Sequence, residues 1–224
     1  MFKGSVTLFL LSLTLGCVTV NNEAETAKFN PIKAADARIE LGINYLALGY
    51  NVRAKQNLDL AHRYAPNYVH ASSAIAYYYQ QVSEVELADK WYKKALTESP
   101  ENGDVLNDYG VFLCRQQQYA LAQQTFMQAI QLSSYEHVPA SYENAGLCAK
   151  MQGDLRRAEA YFLKSLKYEP SRFRSSIELV KLSIHFGAFS EARQRLQYIH
   201  SRFGFGSEAQ ELQDELNGMS SLAH

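Results

Sequence analysis

An alanine followed four residues later by a large apolar side chain returns five times along this chain, at Ala54/Leu58, Ala88/Tyr92, Ala122/Phe126, Ala158/Phe162 and Ala192/Leu196. Successive alanines are 34, 34, 36 and 34 residues apart. A period of that length marks an architecture in which one supersecondary unit is stacked on its like. Twelve residues before each alanine stands Gly42, Ala76, Gly110, Gly146 or Val180, and seven after it Ala61, Ala95, Ala129, Ser165 or Ile199. Pro66, Pro100 and Pro170 lie twelve after the first, second and fourth. Small side chains let two helix backbones approach, and large ones fill the space between one unit and the next. Proline ends a helix, because it lacks an N–H and disfavours helix in the residue before it. Gly49-Tyr50-Asn51, Asn102-Gly103-Asp104 and Gly153-Asp154 mark turns or caps between helices.

This pattern resembles the tetratricopeptide (TPR) repeat, two antiparallel helices per unit. The expected fold is therefore all-α: a TPR superhelical solenoid of five helix pairs plus a C-terminal capping helix. Residues 35–206 divide into units at 35–68, 69–102, 103–138, 139–172 and 173–206. Ser207–Leu216 is amphipathic and polar, as the terminal cap of a solenoid must be, with a tail to residue 224. The two extra residues of the third interval fall in Ser133–Pro139, which predicts a longer loop between the third and fourth units. With 47% hydrophobic and 20% charged residues, the chain can bury a core.

The first 34 residues read differently. Lys3 is followed by Val6–Leu15, ten residues without a charge. As helix that run spans roughly 15 Å, half of a bilayer core, so it fits a signal peptide (residues 1–16) and not a membrane span. Thr14-Leu15-Gly16-Cys17 resembles a bacterial lipobox, with Cys17 as the lipidated first residue of the mature protein. The alternative is an ordinary signal peptide with an incidental cysteine. Val18 stands where an Asp would signal retention at the inner membrane, so the outer membrane is the expected address. Residues 17–34 make a polar tether, of which about 13 residues between the anchor and the first helix could reach ~40 Å.

Function classes narrow quickly. Lys plus Arg number 22 and Asp plus Glu 23, so there is no basic footprint for nucleic acid. His62, His70, His137, His185, His200 and His224 form no metal-ligand pair at i, i+4. No Gly-rich phosphate loop and no nucleophile elbow is present. The expectation is a non-enzymatic scaffold that needs no cofactor or metal. Helix-A positions of a TPR line the concave groove. Here they are Asp36, Ile39, Glu40, Ile43 and Leu46; then His70, Ser73, Tyr77, Gln80 and Gln81; then Asn107, Asp108 and Val111; then Glu143, Asn144 and Leu147. Its amino-terminal end is apolar and aromatic with a polar rim, which suits an extended or amphipathic helical segment of a partner protein. The alternative is that Ile39 and Ile43 pack on a folded-back tether. Besides Cys17 there are two cysteines, Cys114 and Cys148, at similar heights in neighbouring first helices. In an oxidising compartment they are expected to form a disulfide; the alternative is two buried thiols.

Asn102–Cys114 (NGDVLNDYGVFLC) and Tyr142–Ala149 (YENAGLCA) depart from generic TPR filler. They resemble the corresponding segments of the type IV pilus biogenesis lipoproteins of the PilF/PilW kind, the pilotins. The resemblance implies an outer-membrane lipoprotein facing the periplasm that helps the pilus secretin insert and multimerise; apart from such partners the chain is expected to be monomeric. It also implies that Cys114 and Cys148 are a matched pair. A general periplasmic scaffold for outer-membrane protein or cell-wall assembly, built on the same repeats, is the alternative.

Overall fold

Apolar residues at three- and four-residue spacing must be buried along one stripe of a helix, and the chain obeys that pattern throughout. The computed structural model describes residues 29–204 and 206–221. The expected signal peptide, Cys17 and most of the tether lie outside the described residues. Five helix pairs follow one another: α1 (Pro31–Ala47) with α2 (Asn51–Tyr64), α3 (Val69–Gln81) with α4 (Val85–Glu98), α5 (Gly103–Arg115) with α6 (Tyr119–Gln131), α7 (Val138–Gln152) with α8 (Leu155–Tyr168), and α9 (Phe173–His185) with α10 (Phe189–Phe203). A last helix, α11 (Ser207–Ser221), closes the series. First helices lie beside one another, α1 against α3, α5 against α7 and α9 against α11. The chain is the all-α TPR solenoid that its period predicts. Among the described residues no helix is long and apolar enough to cross a membrane.

The repeat residues do what their sizes require. A methyl group added at Gly110 would lie 2.7 Å from Phe126, and one at Gly146 would lie 2.7 Å from Phe162. Those rings, fully buried, therefore rest directly on the backbone of the preceding helix. Gly42 makes the same approach to Leu58. In the fifth pair Val180 takes the small position and the ring is replaced by Leu196, so a larger residue meets a smaller one in a buried cluster. Ala209, Leu212 and Leu216 of α11 join that cluster and cover the last face. The first helix starts at Pro31, four residues before the expected unit boundary. A proline at the first helical position has its φ preset and loses no bond, because that N–H would be unpaired anyway. At the other ends, α2, α4 and α8 stop at Tyr64, Glu98 and Tyr168, one residue short of the position preceding a proline.

Junctions between pairs occupy residues 65–68, 99–102 and 169–172, whereas the third-to-fourth junction runs from 132 to 137. The longer loop folds back on α5. The Tyr135 ring sits where a side chain at Gly103 would be, and His137 Nδ1 meets Asp104 Oδ1 at 2.8 Å. Asn102 and Asp154 cap α5 and α8, accepting from the backbone N–H of Val105 and Arg157. Within each pair the turn holds one residue in the left-handed region: Gly49, Ser83, Gln117, Gly153 and Gly187, with φ between 59° and 87°. They recur at the register of the repeat itself.

Candidate functional site

Three first helices turn one face each toward a common concavity of about 400 Å³. Ile39 and Ile43 come from α1; His70, Ser73, Tyr77 and Gln80 from α3; Asp108, Val111 and Arg115 from α5. Within each helix these positions are three or four apart, the spacing that keeps side chains on one stripe. Tyr92 reaches the floor from α4, its ring fully buried and its hydroxyl donating to Gln80 Oε1 at 3.1 Å. Ile39 and Ile43 are half-buried, packed from behind by Leu58, Ala74 and Ile75. Tyr77 remains 40% exposed, although it is large and apolar.

The floor is electrostatically uneven. Asp108 is exposed on the groove, with protein atoms crowding one side of its carboxyl. That desolvation, with Asp104 one turn away, pushes its pKa up to about 6, against the Asn107 amide that donates to it at 3.4 Å. No cation of the described residues lies within ion-pair distance of it. Tyr92 is likewise pushed up, by burial first and then by the Asp108 charge, while Arg115 acts the other way. Both ends of this acid–base pair on α5 therefore act on one phenol.

The structure brings Ile39, Ile43 and Tyr77 together on that concavity. Leu46, half-buried one turn further along α1, is not part of the lining. Asn107 and Asn144 meet each other instead: Asn107 Oδ1 accepts from Asn144 Nδ2 at 3.0 Å and from Ser141 Oγ at 2.9 Å. Their amides are thus engaged in joining α5 to α7. Glu143, expected on the groove, is buried in the seam between the fourth and fifth pairs. It accepts from Arg172 at 3.1 Å and from Ser175 at 2.8 Å. A carboxylate is tolerated there because a guanidinium and a hydroxyl satisfy it. Cys114 of α5 and Cys148 of α7 are joined by a disulfide, with Cα atoms 5.8 Å apart and both residues buried. Arg115 and Tyr92 are groove residues that sequence reasoning left out. Arg115 continues the 108–111 spacing by one more turn, a signal that was available. Tyr92 belongs to a second helix, and nothing in its position announces that its hydroxyl emerges on the groove side.

A stacked series of helix pairs with a concave face, a polar floor and apolar walls defines a TPR scaffold. A sequence profile described as the Cilia and flagella-associated protein 70 middle TPR-like domain matches residues 73–203. The type IV pilus assembly protein PilF of Pseudomonas aeruginosa is 34% identical over 195 residues, covering 84% of this chain and 75% of that protein. A solved structure of Pseudomonas aeruginosa PilF superposes with a TM-score of 0.73 at 31% identity, over 85% of this chain and 86% of that one. The structure of PilW, a type IV pilus biogenesis factor, gives 0.70 at 23% identity, over 81% and 84%, which speaks to the fold alone. The chain belongs to the PilF/PilW-like family of TPR proteins.

Proposed function

We propose that this chain is an outer-membrane lipoprotein, anchored through Cys17 and facing the periplasm, that serves type IV pilus biogenesis. Its groove binds a segment of the pilus secretin and promotes the secretin's localisation and multimerisation, without catalysis or a cofactor. The observation that carries this reading is the 34% identity to a type IV pilus assembly protein along 84% of the chain. The concavity of α1, α3 and α5 supports it: Ile39, Ile43 and Tyr77 offer apolar walls of the kind that receive a helix or an extended strand of a partner.

The experiment is the heat-resistant secretin multimer in outer-membrane fractions, with and without the gene. The deletion strain should lose the multimer and the wild-type gene should restore it. Ile43→Asp should fold, by its helical circular dichroism, yet fail to restore, since a charge in an apolar anchor pocket costs about 2 kcal/mol or more of binding. Cys17→Ser should leave the protein in the soluble periplasmic fraction. Normal multimer in the deletion strain would remove the secretin and leave a general envelope scaffold.

A further inference from the structure

The charges on the groove floor carry information beyond apolar fit. Asp108 and Arg115 stand on one face of α5, seven residues or two turns apart, which is about 10 Å along the helix. Neither has an ion-pair partner among the described residues, although charged side chains elsewhere in the chain are commonly paired, as in Glu143–Arg172 and Lys181–Glu208. Opposite them, the walls from α1 and α3 supply Ile39, Ile43 and Tyr77, and His70 as the one further titratable side chain on those walls. An acid and a base left unpaired, in line and exposed on the groove would each be costly to cover with an apolar segment. Each favours a complementary charge, whose attraction strengthens as the occupant displaces water from the groove.

Resting on the groove as the binding site, we infer that its occupant is an amphipathic protein segment read in one direction only. It places a Lys or Arg on Asp108, an Asp or Glu on Arg115, and an apolar side chain between Ile39, Ile43 and Tyr77. The charge order then fixes which way the segment lies, as apolar contacts alone do not. In a helical occupant the two charges are about seven residues apart, and in an extended one about three.

The test uses the full-length protein in detergent and a phage-displayed library of random peptides. Sequences enriched on the wild type should carry a basic and an acidic residue in one constant order around an apolar anchor, and Ile43→Asp should lose them. The exchange Asp108→Lys with Arg115→Glu keeps the net charge and should enrich the opposite order. It should also bind wild-type-selected peptides about tenfold more weakly. The pair Asp108→Asn with Arg115→Gln, which removes both charges without introducing new ones, guards against misfolding and should enrich apolar anchors with no charge order. Peptides that depend on Ile43 but show no charge order, or the same order on the exchanged protein, would overturn the inference and leave the groove standing. Peptides indifferent to Ile43→Asp would overturn the groove as well.

Discussion

The charge on Asp108 does not favour the folded state. Its carboxyl is pushed up to about 6, chiefly by lost hydration, from an ordinary value of 3.8. The charged form is thus disfavoured by folding, a cost fully present above about 6 and absent below the unfolded value. Asp108→Asn is therefore expected to raise the thermal midpoint at pH 7. The advantage should shrink as pH falls from about 6 and vanish only below about 3.8, where the carboxyl is neutral in the folded and the unfolded chain alike. Thermal melts of both proteins across that range check it, with Asp104, His70, Tyr77, Tyr92, Tyr135 and Arg115 unchanged around the site as the common background. A midpoint lowered at pH 7 would show that the carboxylate is instead a structural partner. At this scale the sequence was only partly legible. Helical spacing alone put Ile39, Ile43, Tyr77 and Asp108 on one side. It put Glu143 there too, because nothing local reveals that Arg172, 29 residues on, reaches back to bury it. Asn107 and Asn144 looked like groove amides for the same reason, since a hydrogen bond between neighbouring repeats has no signature in either one.

The helices themselves were legible because the repeat states their residues five times over. Their turns were less so. Glycine at 49, 153 and 187 announces a left-handed residue, but Ser83 and Gln117 hold the same conformation, with φ of 63° and 59°. They are forced into it by the register of the two helices they join. A non-glycine residue there costs about 1–2 kcal/mol, and glycine gives back roughly 0.5–1 kcal/mol in chain entropy. Gln117→Gly should accordingly stabilise the protein by up to about 1 kcal/mol, and Gly153→Ala should destabilise it by a similar amount. Urea unfolding of the two variants measures both. Stabilisation by Gly153→Ala would mean that the turn relaxes without the left-handed residue. The long junction was legible for another reason: two extra residues in one interval have to go somewhere, and the loops are where they cost least. That Tyr135 would fold back over Gly103 was not legible, for its partner is itself without a side chain.

As a whole the molecule is a row of units, each in contact with its neighbours, so its stability is close to a sum of units and interfaces. The Cys114–Cys148 bond departs from that sum by tying the third unit to the fourth. Closing a loop of about this size is worth about 3–4 kcal/mol through the unfolded chain. Replacing both cysteines by serine should lower the unfolding free energy by that order, and reductant should do the same to the wild type while leaving the variant unmoved. A variant as stable as the wild type would show that packing at the seam suffices. The row and its cap were readable from the period and from Ser207–Leu216, whereas the division of the core at α9 was not, because it follows from how rings and aliphatic residues sort between units. Arg115 follows Cys114 directly, so the covalent tie sits at the root of one wall of the groove. Loosening in a linear stack creeps inward from its ends, and α1 and α3 are the end here. The groove is therefore expected to behave as a vice with one fixed jaw and one sprung jaw. Whatever enters would then be gripped by the side that yields and measured against the side that does not.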